Sequence, residues 1–494
     1  MARYVLAIDQ GTTGTTVIVI DAAGRIRARV QGAVRQFYPR PGWVEHDAEQ
    51  IYRSVIALSR AALTRARVKP ADLAGIGIAN QRETFVVWER KNGRPVHRAI
   101  VWQCRRSAEL CAALREHELQ IVERTGLLVD PYFSGTKLKW LLDSEPELRR
   151  RAARGELCFG TIESWLIFKL TRGAAFLTDF TNASRTLMFN LERREWDPAM
   201  LELLDVPAEI LPRAVGSRGP LAETAPRTLC DRAVPIAAAI GDQQAALFGQ
   251  GCVRPGAAKI TYGTGAFLLA HTGGRRVVSR NRLLGTAALG AAGEPAYALE
   301  GSVFIAGAAV QWLRDGLGLI ARSSDTLALA RKSRDRAAPY VVPAFVGMGA
   351  PYWDSGARGA IFGLTRGTSR ADLVRATLDS IAYQAHDVVA AMESDTGARI
   401  AELRVDGGAA VNDYLMQFQA DILDRPVVRP VMTETTALGA AILAGMAVGV
   451  WSSAADFAPL RRVDRRFRPK MRPDERERLL AGWRDAVART LSRA

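Results

Sequence analysis

The stretch Tyr4-Val-Leu-Ala-Ile-Asp-Gln-Gly-Thr-Thr-Gly-Thr-Thr-Val-Ile-Val-Ile-Asp21 decides how the rest of the chain is interpreted. Two apolar runs, residues 5–8 and 17–20, flank a turn of Gly and Thr, which predicts a β-hairpin. Gly11 and Gly14 allow backbone angles that aim several N–H groups at one point, and the Thr hydroxyls add donors. Such a nest of donors binds anions, phosphate above all.

Asp9 stands at the mouth of this turn, where its carboxylate would repel a bound phosphate. A divalent cation between the two groups removes the conflict, and Mg²⁺ is the usual partner of carboxylate and phosphate oxygens. The hairpin therefore predicts a phosphate site beside a magnesium site. An ordinary hairpin with a Gly-Thr turn is the alternative interpretation.

Composition limits the class of protein. A chain of 494 residues is too long for a single hydrophobic core and predicts two or three domains. Hydrophobic residues make up 48% of it and charged residues 24%, as is typical of a soluble globular protein. The five cysteines form no Cys-x-x-Cys pair, so neither a disulfide framework nor a zinc site is indicated. Reduced thiols, and no signal peptide before Asp9, predict a cytoplasmic protein.

Two features raise other classes of protein. The net charge of +16 suggests a nucleic-acid partner, but the Arg residues are interleaved with Glu and Asp, which favours a solvated surface. Residues 435–455 carry no charge and contain Gly445-x-x-x-Gly449, as a transmembrane helix could. Their richness in Ala, Gly and Thr favours a buried helix packed against a sheet. We expect no nucleic-acid partner and no integral membrane segment.

Strands and helices alternate in the N-terminal part of the chain, which predicts an α/β layer. After the hairpin we expect a strand over residues 25–31 and an amphipathic helix over residues 47–64. Two further strands are expected over residues 73–80 and 84–89.

The opening pattern recurs in the second half of the chain. Residues 258–270 again have the pattern of a strand, a Gly-Thr turn and a second strand. Residues 403–408 parallel the strand that ends at Asn80, since each run closes on small or polar residues. We therefore predict two α/β domains of one plan, facing each other across a cleft. The expected bounds are 1–254 for the first domain, 255–455 for the second and 456–494 for a helical tail.

A pair of opposite charges follows the buried strand that ends at Asn80. Arg82 offers a planar fork of donors and Glu83 offers two acceptor oxygens. Proteins with α/β folds place ligand-binding groups at the carboxyl ends of their strands, and the hydroxyls of a small polyol both donate and accept. The pair indicates a polyol site, with a surface ion pair as the alternative.

Asp242 follows the apolar run of residues 234–240 and precedes two amides, Gln243 and Gln244. A carboxylate near a strand end in a cleft is a candidate general base for an alcohol. Phosphoryl transfer has a loose transition state, so the base need only orient the hydroxyl and accept its proton late. An Asp with an ordinary pKa can do this. The alternative is an Asp that caps the following helix.

Four further positions could line a ligand site. Trp102 and Phe267 each follow a strand-like run and could wall the apolar side of a pocket, although an aromatic there is more often core. Tyr132 could present its hydroxyl if Pro131 holds a loop. Asp406-Gly-Gly408 has no bulk after its Asp, so a flat ring such as adenine could approach the backbone, although an ordinary turn has the same sequence.

These motifs together resemble the glycerol kinases of the FGGY carbohydrate kinase family, which shares the actin and Hsp70 type of ATPase fold. The resemblance implies two actin-like (ribonuclease H-like) ATPase domains. The phosphate hairpin and the Asp-Gly-Gly run occur across this wider fold. The runs specific to glycerol kinases are Asn80-Gln-Arg-Glu83, Val101-Trp-Gln-Cys-Arg-Arg106 and Asp130-Pro-Tyr-Phe-Ser-Gly-Thr-Lys137.

The resemblance also implies a reaction, the phosphorylation of glycerol to sn-glycerol 3-phosphate, with ATP and Mg²⁺ as cofactors. It makes Asp242 the general base and places Asp9 near Mg²⁺. The implied glycerol-binding residues are Arg82, Glu83, Trp102, Tyr132, Asp242, Gln243 and Phe267. The implied nucleotide-binding residues are Thr12, Thr13, Gly14, Thr264, Gly307, Gln311, Gly408 and Asn412.

The chain departs from the pattern of these kinases at three places. Thr16 stands where they usually have an Arg, which removes a phosphate donor whose charge-assisted bonds are worth ~1.5–3 kcal/mol. Glu163 replaces their usual Asp. The Gly-rich loop that binds fructose 1,6-bisphosphate in some bacterial members is not reproduced around Thr228-Leu-Cys-Asp-Arg232, so that regulation is not expected.

Two other functions remain as alternatives, a kinase of another polyol or ketose in the same family and a non-catalytic nucleotide-dependent module of the actin or Hsp70 type. A pure nucleotide switch has no use for Arg82 and Glu83 beside Trp102, which disfavours the second alternative. We also expect a homo-oligomer, either a dimer or a tetramer.

Overall fold

The computed structural model describes residues 4–333, 339–452 and 456–492. Its strands and helices alternate along the chain, as the sequence predicts. The strands are β1 (Tyr4–Gln10), β2 (Gly14–Asp21), β3 (Ile26–Ala33), β4 (Gln36–Phe37), β5 (Glu45–His46), β6 (Leu73–Asn80), β7 (Phe85–Glu89), β8 (Ala99–Ile100), β9 (Leu157–Thr161), β10 (Leu177–Asp179), β11 (Phe189–Asn190), β12 (Glu195–Trp196), β13 (Arg213–Val215), β14 (Arg218–Glu223), β15 (Pro235–Gly241), β16 (Ala258–Tyr262), β17 (Ala266–Gly273), β18 (Leu284–Leu289), β19 (Pro295–Val303), β20 (Tyr340–Val342), β21 (Ala360–Phe362), β22 (Leu403–Gly407), β23 (Val427–Pro430) and β24 (Val463–Phe467).

The helices vary in length from a single turn to one long helix. The first begins after Asp47, whose side chain accepts from the backbone N–H of Gln50. The helices are α1 (Ala48–Ala66), α2 (Ala108–Ala113), α3 (Glu118–Thr125), α4 (Ser134–Ser144), α5 (Pro146–Ala153), α6 (Ile162–Leu170), α7 (Phe180–Ala183), α8 (Pro198–Leu204), α9 (Asp242–Gly249), α10 (Gly307–Gln311), α11 (Asp325–Lys332), α12 (Arg370–Thr396), α13 (Asp413–Leu423), α14 (Thr435–Ala447) and α15 (Pro473–Thr490).

The opening hairpin forms the centre of the first sheet, whose strand order is β14-β15-β6-β1-β2-β3. β1 runs antiparallel to β2 and parallel to β6, and β6 runs parallel to β15. In this register Gln10 and Gly241 both lie opposite Asn80. The turn of the hairpin and the segments after β6 and β15 therefore meet at one edge of the sheet.

The second sheet repeats this plan in the order β18-β19-β17-β16-β22-β23-β24. The hairpin β16–β17 is antiparallel, and β16 runs parallel to β22 as β1 runs parallel to β6. Thr261 lies opposite Asp406, so the Gly-Thr turn after β16 and the Asp-Gly-Gly run share an edge. The predicted α/β fold with two domains of one plan is confirmed.

Both faces of the first sheet are covered, which explains its nearly continuous apolar strands. Leu6 and Ile8 belong to the core that includes α1, whereas Val5 and Ala7 belong to the core that includes α14. This alternation follows from the two-residue period of a strand. Helix α14 is the uncharged segment that the sequence predicts to be a buried helix against a sheet, and that prediction is confirmed.

Helix α14 packs on the first sheet although its sequence lies within the second domain, and it crosses α9 at very close range. A Cβ on Gly439 would overlap the backbone carbonyl of Ala245, and one on Gly249 would overlap that of Thr435. Small residues at the crossing therefore serve close helix packing. In the described ranges, no helix combines the length and the hydropathy needed to cross a membrane.

A smaller sheet, β4-β5-β8-β7-β9, is inserted after the first strands. Its core includes α4 and the partly buried rings of Trp102 and Tyr132. The segment after residue 455 is only partly helical, contrary to the expected tail. Val463–Phe467 pairs antiparallel with Val427–Pro430 as an edge strand of the second sheet, and the longest helix of this segment, Pro473–Thr490, is preceded by a short 3-10 helix at Ala458–Arg461. The strand pattern there is short and mostly exposed, so its periodicity is weak.

Candidate active site

Arg82 and Glu83 lie immediately beyond β6, at the edge where the hairpin turn and β15 meet. Both side chains are buried, which rules out the surface ion pair. Glu83 has a left-handed backbone with φ of 61°, a conformation that costs a non-glycine residue free energy and is concentrated at functional sites.

A network of buried charges surrounds Arg82. Its Nη1 donates to Glu300 Oε2 at 2.5 Å and its Nη2 donates to Glu300 Oε1 at 3.1 Å. Arg185 donates through Nε to Glu83 Oε1 at 2.7 Å and through Nη2 to Glu300 Oε1 at 2.9 Å. Two guanidinium groups of the first domain thus share one carboxylate of β19 in the second domain.

The two guanidinium groups oppose the effect of burial on the carboxylates of this network. Burial would raise the pKa of Glu300, but the guanidinium groups of Arg185 and Arg82 hold it at about 2. Burial also raises the pKa of Glu83, and Arg82 and Arg185 oppose that rise. Glu300 is therefore ionised near neutral pH and can hold both guanidinium groups.

Asp242 is the first residue of α9 and lies against Arg82, with Asp242 Oδ1 at 3.2 Å from Arg82 Nε. Gly241 occupies the N-cap position, so the helix-capping alternative for Asp242 does not hold. A Cβ on Gly241 would stand 2.8 Å from Cδ of Arg82. Only glycine at 241 leaves Arg82 room to reach across to Glu300.

The carboxylate of Asp242 is tuned by opposing effects. Burial raises its pKa, and the nearby charges of Arg82 and then Lys259 pull the pKa down. Thr181 fixes the backbone beside it, since its Oγ1 accepts from the backbone N–H of Gly241 at 2.8 Å. The arrangement suits a carboxylate that accepts a proton from a hydroxyl.

Gln243 is held by a buried cation. Lys259 Nζ donates to Gln243 Oε1 and to Thr261 Oγ1, the latter at 2.8 Å. Since an ammonium group has no acceptor, it fixes the amide with Oε1 toward Lys259. The amide N–H₂ of Gln243 is then turned away from the cation and can face a ligand.

Three aromatic rings stand together across the two domains. Trp102 packs edge-on against Tyr132 and against Phe267, with ring centroids 5.5 and 6.1 Å apart. The indole Nε1 of Trp102 donates to Thr12 Oγ1 at 2.8 Å. The structure therefore places the three rings predicted from the sequence in one wall, and ties that wall to the phosphate hairpin.

The first Gly-Thr turn keeps its residues partly accessible at the sheet edge. The backbone N–H of Gly11 donates to Gly14 O at 2.8 Å, which closes the turn. The carbonyls of Thr12 and Thr13 are engaged by Gln36 and by Val34. Carbonyl groups are thus held by neighbouring segments, and the Thr13 side chain remains exposed.

The second Gly-Thr turn packs against the start of α10. The backbone N–H of Gly307 donates to Gly263 O at 3.0 Å, and a Cβ on Gly307 would stand 2.5 Å from that oxygen. Thr264 is exposed at the turn. Gly408 has nothing within 4 Å of a Cβ position, so its backbone faces open space. Thr264 and Gly307 thus lie side by side at this turn.

Gln311 and Asn412, both predicted to bind the nucleotide, differ in how their side-chain amides are engaged. Gln311 is exposed at the end of α10 and is free to turn toward a ligand. The amide of Asn412 is already engaged, because Oδ1 caps α13 and Nδ2 donates to Thr326 Oγ1 at 3.0 Å. Asn412 can therefore offer its backbone and its van der Waals surface, but its amide is held by the protein.

Asp9 is half-buried near the end of β1. Burial, and then the charges of Asp242 and Glu434, raise the pKa of Asp9 to about 8. No cluster of three or more His, Cys, Asp or Glu able to hold a metal occurs in residues 4–333, 339–452 and 456–492. A hard cation would relieve the repulsion between Asp9 and Asp242, and these oxygen donors fit Mg²⁺ that takes its other ligands from phosphate and water.

The sequence analysis missed three residues of this site, Arg185, Glu300 and Lys259. Arg185 stands in the polar run 181–186, and Glu300 is a lone carboxylate in the apolar strand β19. A charged residue in a buried strand requires a partner, since unpaired burial is costly. That signal would have marked Glu300 and Lys259 as paired charges without naming the partner.

Two sheets of the actin-like ATPase plan, each with a Gly-Thr turn at its edge, enclose a carboxylate, a cationic network and an aromatic wall. This combination defines a phosphotransferase that acts on a small polar substrate. The FGGY family of carbohydrate kinases matches residues 4–249 with its N-terminal domain and residues 258–448 with its C-terminal domain. The chain belongs to the FGGY family of carbohydrate kinases.

Relatives of known name agree with this assignment. The chain is 53% identical to glycerol kinase 2 of Thermotoga maritima over 99% of both chains. It is 55% identical to the glycerol kinase of Stenotrophomonas maltophilia strain K279a, again over 99% of both chains. The crystal structure of Plasmodium falciparum glycerol kinase with ADP superposes with a TM-score of 0.93 at 36% identity, covering 99% of each chain.

Proposed function

We propose that this protein transfers the γ-phosphoryl group of ATP to glycerol and releases ADP and sn-glycerol 3-phosphate. The observation that carries the proposal is the juxtaposition of Arg82, Glu83 and Asp242 with the wall of Trp102 and Tyr132. A small polyol needs donors and acceptors on one side and an apolar surface for its carbon atoms on the other. The similarity to named glycerol kinases supports the same substrate.

The proposed substrate contacts follow from which donors and acceptors are available. Arg82 and Glu83 bind hydroxyls of glycerol, while Arg185 and Glu300 hold those two side chains in place. The Tyr132 hydroxyl adds a donor and acceptor. The remaining proposed contacts are those of the Gln243 amide and of the Trp102 and Phe267 rings.

Asp242 serves as the general base in this proposal. Its carboxylate orients the terminal hydroxyl of glycerol and accepts the proton as the bond to phosphorus forms. Arg82 at 3.2 Å opposes the rise in the pKa of this carboxylate that burial causes. The ionised carboxylate accepts the proton and is neutral after the transfer.

The two Gly-Thr turns hold the phosphates of ATP in this proposal. The contacts are assigned to Thr12, Thr13 and Gly14 in the first turn and to Thr264 in the second. The rest of the nucleotide is contacted by Gly307, Gln311, Gly408 and Asn412. The open backbone at Gly408 faces the adenine ring. Mg²⁺ would be held beside Asp9 and, when bound, would neutralise charge on the phosphate oxygens.

We further propose domain bounds of 1–254 and 255–455 with a C-terminal segment 456–494, a cytoplasmic location, and assembly as a homodimer or homotetramer. Closure of the two domains excludes water, since an open site would hydrolyse ATP. Size-exclusion chromatography with light scattering tests the assembly.

The substrate proposal is tested by measuring Mg-ATP turnover with glycerol, dihydroxyacetone, erythritol and xylulose at equal concentrations. We expect the highest kcat/KM with glycerol. A higher value with another of these compounds would favour a different polyol or ketose kinase of the same family. Nucleotide binding without turnover of any of them would favour a non-catalytic module.

A further inference from the structure

The loop that carries Tyr132 lies between the substrate wall and an open cavity. On one side the Tyr132 ring meets Trp102 edge-on at 5.5 Å. On the other side Val129, Asp130 and Pro131 line a cavity of about 330 Å³. A loop with empty space behind it can shift away from the substrate unless something holds it.

Lys137 anchors this loop through hydrogen bonds to its backbone. Its side chain is fully buried, and Nζ donates to Pro131 O at 2.7 Å and to Tyr132 O at 2.6 Å. Burial lowers the pKa of Lys137 to about 7, with the charge of Glu83 acting against the shift. Both protonation states of the amine keep at least two N–H donors, which is the number that the two carbonyls require.

The same turn of α4 also holds the other side of the site. Ser134 Oγ donates to the backbone carbonyl of Glu83 at 3.0 Å, and Gly135 N donates to Thr186 O at 2.8 Å. A Cβ on Gly135 would stand 2.5 Å from Thr186 O, so the helix and the segment after Arg185 are in close contact. The first turn of α4 therefore contacts the backbone of Tyr132 and Glu83, two proposed glycerol contacts. It also contacts the backbone of Thr186, the neighbour of Arg185.

We propose that Lys137, supported by Ser134, is a positioning residue that fixes the distance between Tyr132 and Glu83 and so sets the affinity for the polyol. The proposal rests on the proposed function only in naming that substrate. Lys137 touches no substrate atom. It acts by keeping the Tyr132 loop from moving into the cavity behind it.

Loss of this anchor should weaken the binding of the polyol and not the binding of ATP. Removing the amine leaves two carbonyls without a donor and gives the loop freedom that substrate binding must then remove. Among the described residues, no hydrogen bond joins α4 to Thr12 or Thr264, so we expect the KM for ATP to change little. A purely structural lysine would instead weaken stability and both substrates together.

The test is Lys137→Met in the full chain, since methionine fills similar volume without a donor. We expect the KM for glycerol to rise about tenfold or more, with kcat and the KM for ATP changed by less than a few-fold. The matched control is Lys139→Met on the same helix, which loses only a partly exposed pair with Asp143. This control leaves both KM values unchanged.

A second background separates positioning from general damage. In Tyr132→Ala the loop has lost the side chain that Lys137 positions, so adding Lys137→Met changes the KM for glycerol much less than in the wild-type chain. Equal factors in both backgrounds, or an unchanged KM in the single variant, would overturn the proposal. Ser134→Ala, expected to raise the same KM by a smaller factor, replaces Lys137→Met if that variant does not fold.

Failure of the proposed function gives a different pattern. If the wild-type chain prefers another polyol, the same variants are measured with that compound. The KM for the preferred polyol must then rise with the KM for ATP unchanged. A KM shift for ATP instead of the polyol would reject the anchor whichever substrate the enzyme uses.

Discussion

At residue scale, Asp242 has one cation within 3.2 Å and a second cation, Lys259, that also lowers its pKa. Burial raises the pKa of Asp242, and these two charges limit that rise. The proposed role as general base depends on charge, because an amide of the same shape cannot accept the proton.

Asp242→Asn should therefore lower kcat by about 10²–10⁴-fold, the usual contribution of a general base. ATP binding should change little, because the phosphate turns are separate from this side chain. Steady-state kinetics and a nucleotide titration measure the two effects. Asp231→Asn at an exposed position is the control. A kcat within a few-fold of the wild-type value would show that Asp242 is not the base.

Thr16 lies directly opposite Asp9 in the β1–β2 register, on the sheet face that α14 covers. Asp9 carries a raised pKa because it is buried near Asp242 and Glu434. Arg29 reaches the same face and pairs with Glu434 at 2.6 Å. An arginine at position 16 would add a cation among three carboxylates.

Thr16→Arg should tighten nucleotide binding by about tenfold, since a charge-assisted bond to phosphate is worth ~1.5–3 kcal/mol. Isothermal titration of the enzyme with ADP measures the Kd. Thr64→Arg, at an exposed position of α1, adds the same charge away from the site and should leave the Kd unchanged. An unchanged or weaker Kd for Thr16→Arg would contradict this account of the departure.

At the scale of elements, the junction of β9 and α6 explains the unusual Glu163. Its Oε1 accepts from the hydroxyls of Thr161 and Thr178, each at 2.6 Å, while Oε2 is buried without a partner among the described residues. Asp179 lies near it and accepts from Thr181 Oγ1 at 2.5 Å. Thr181 also accepts from the backbone N–H of Gly241, so the junction supports the backbone next to Asp242.

The pH dependence of stability follows from this burial. Burial and then the charge of Asp179 raise the pKa of Glu163 from its ordinary 4.5 to about 7. The folded chain thus binds more protons than the unfolded chain between these values, so the contribution of Glu163 is fully present below about pH 4.5 and is lost as pH rises through about 7.

Glu163→Gln should remove this part of the pH dependence. We expect the wild-type chain to lose more stability between pH 5 and pH 8 than the variant does, because glutamine stays neutral. Chemical denaturation at the two pH values measures the difference. Glu195→Gln at an exposed position should behave as the wild type. Parallel pH profiles of Glu163→Gln and the wild type would contradict the assignment.

Elements that depend on local pattern were predictable, and long-range pairings were not. Both hairpins and the strand before Arg82 follow from apolar alternation and Gly-Thr turns, and they appear where the sequence places them. Glu300 pairs with a residue 218 positions away, which no local pattern encodes. Helix α14 was predictable as buried, but its docking on the first sheet depends on how the domains meet.

The candidate site shows the same division. Residue types at strand ends pointed to Arg82, Glu83 and Asp242, because strand ends gather ligand groups in α/β folds. The side chains that hold them in place, such as Arg185, come from other segments and have no signature of their own. Their contribution is visible only from distances and burial.

At the scale of the whole molecule, the two domains are joined at the substrate site by charges. Arg82 and Arg185 belong to the first domain, and the single carboxylate that both contact, Glu300, belongs to the second. Glu300 is fully buried, so neither guanidinium can exchange it for water. The contacts that fix the Arg82 side chain thus also join the two domains.

Glu300→Gln should therefore affect stability and substrate affinity together. Removing one partner of a buried pair costs about 3–5 kcal/mol, because the two guanidinium groups remain buried with less compensating charge. Arg82 also loses its anchor, so the KM for glycerol should rise. Denaturant melts and steady-state kinetics on one preparation measure both quantities.

The control for this variant is Glu402→Gln, which pairs with Arg466 at 2.7 Å near the protein surface. Such a pair contributes about 0–1 kcal/mol, so its loss should leave both the melt and the KM almost unchanged. If Glu300→Gln destabilises the chain but leaves the KM for glycerol at the wild-type value, the network joins the domains without positioning Arg82. If the KM rises while stability is unchanged, Glu300 serves the substrate site, and other contacts between the domains, such as the crossing of α9 and α14, hold them together.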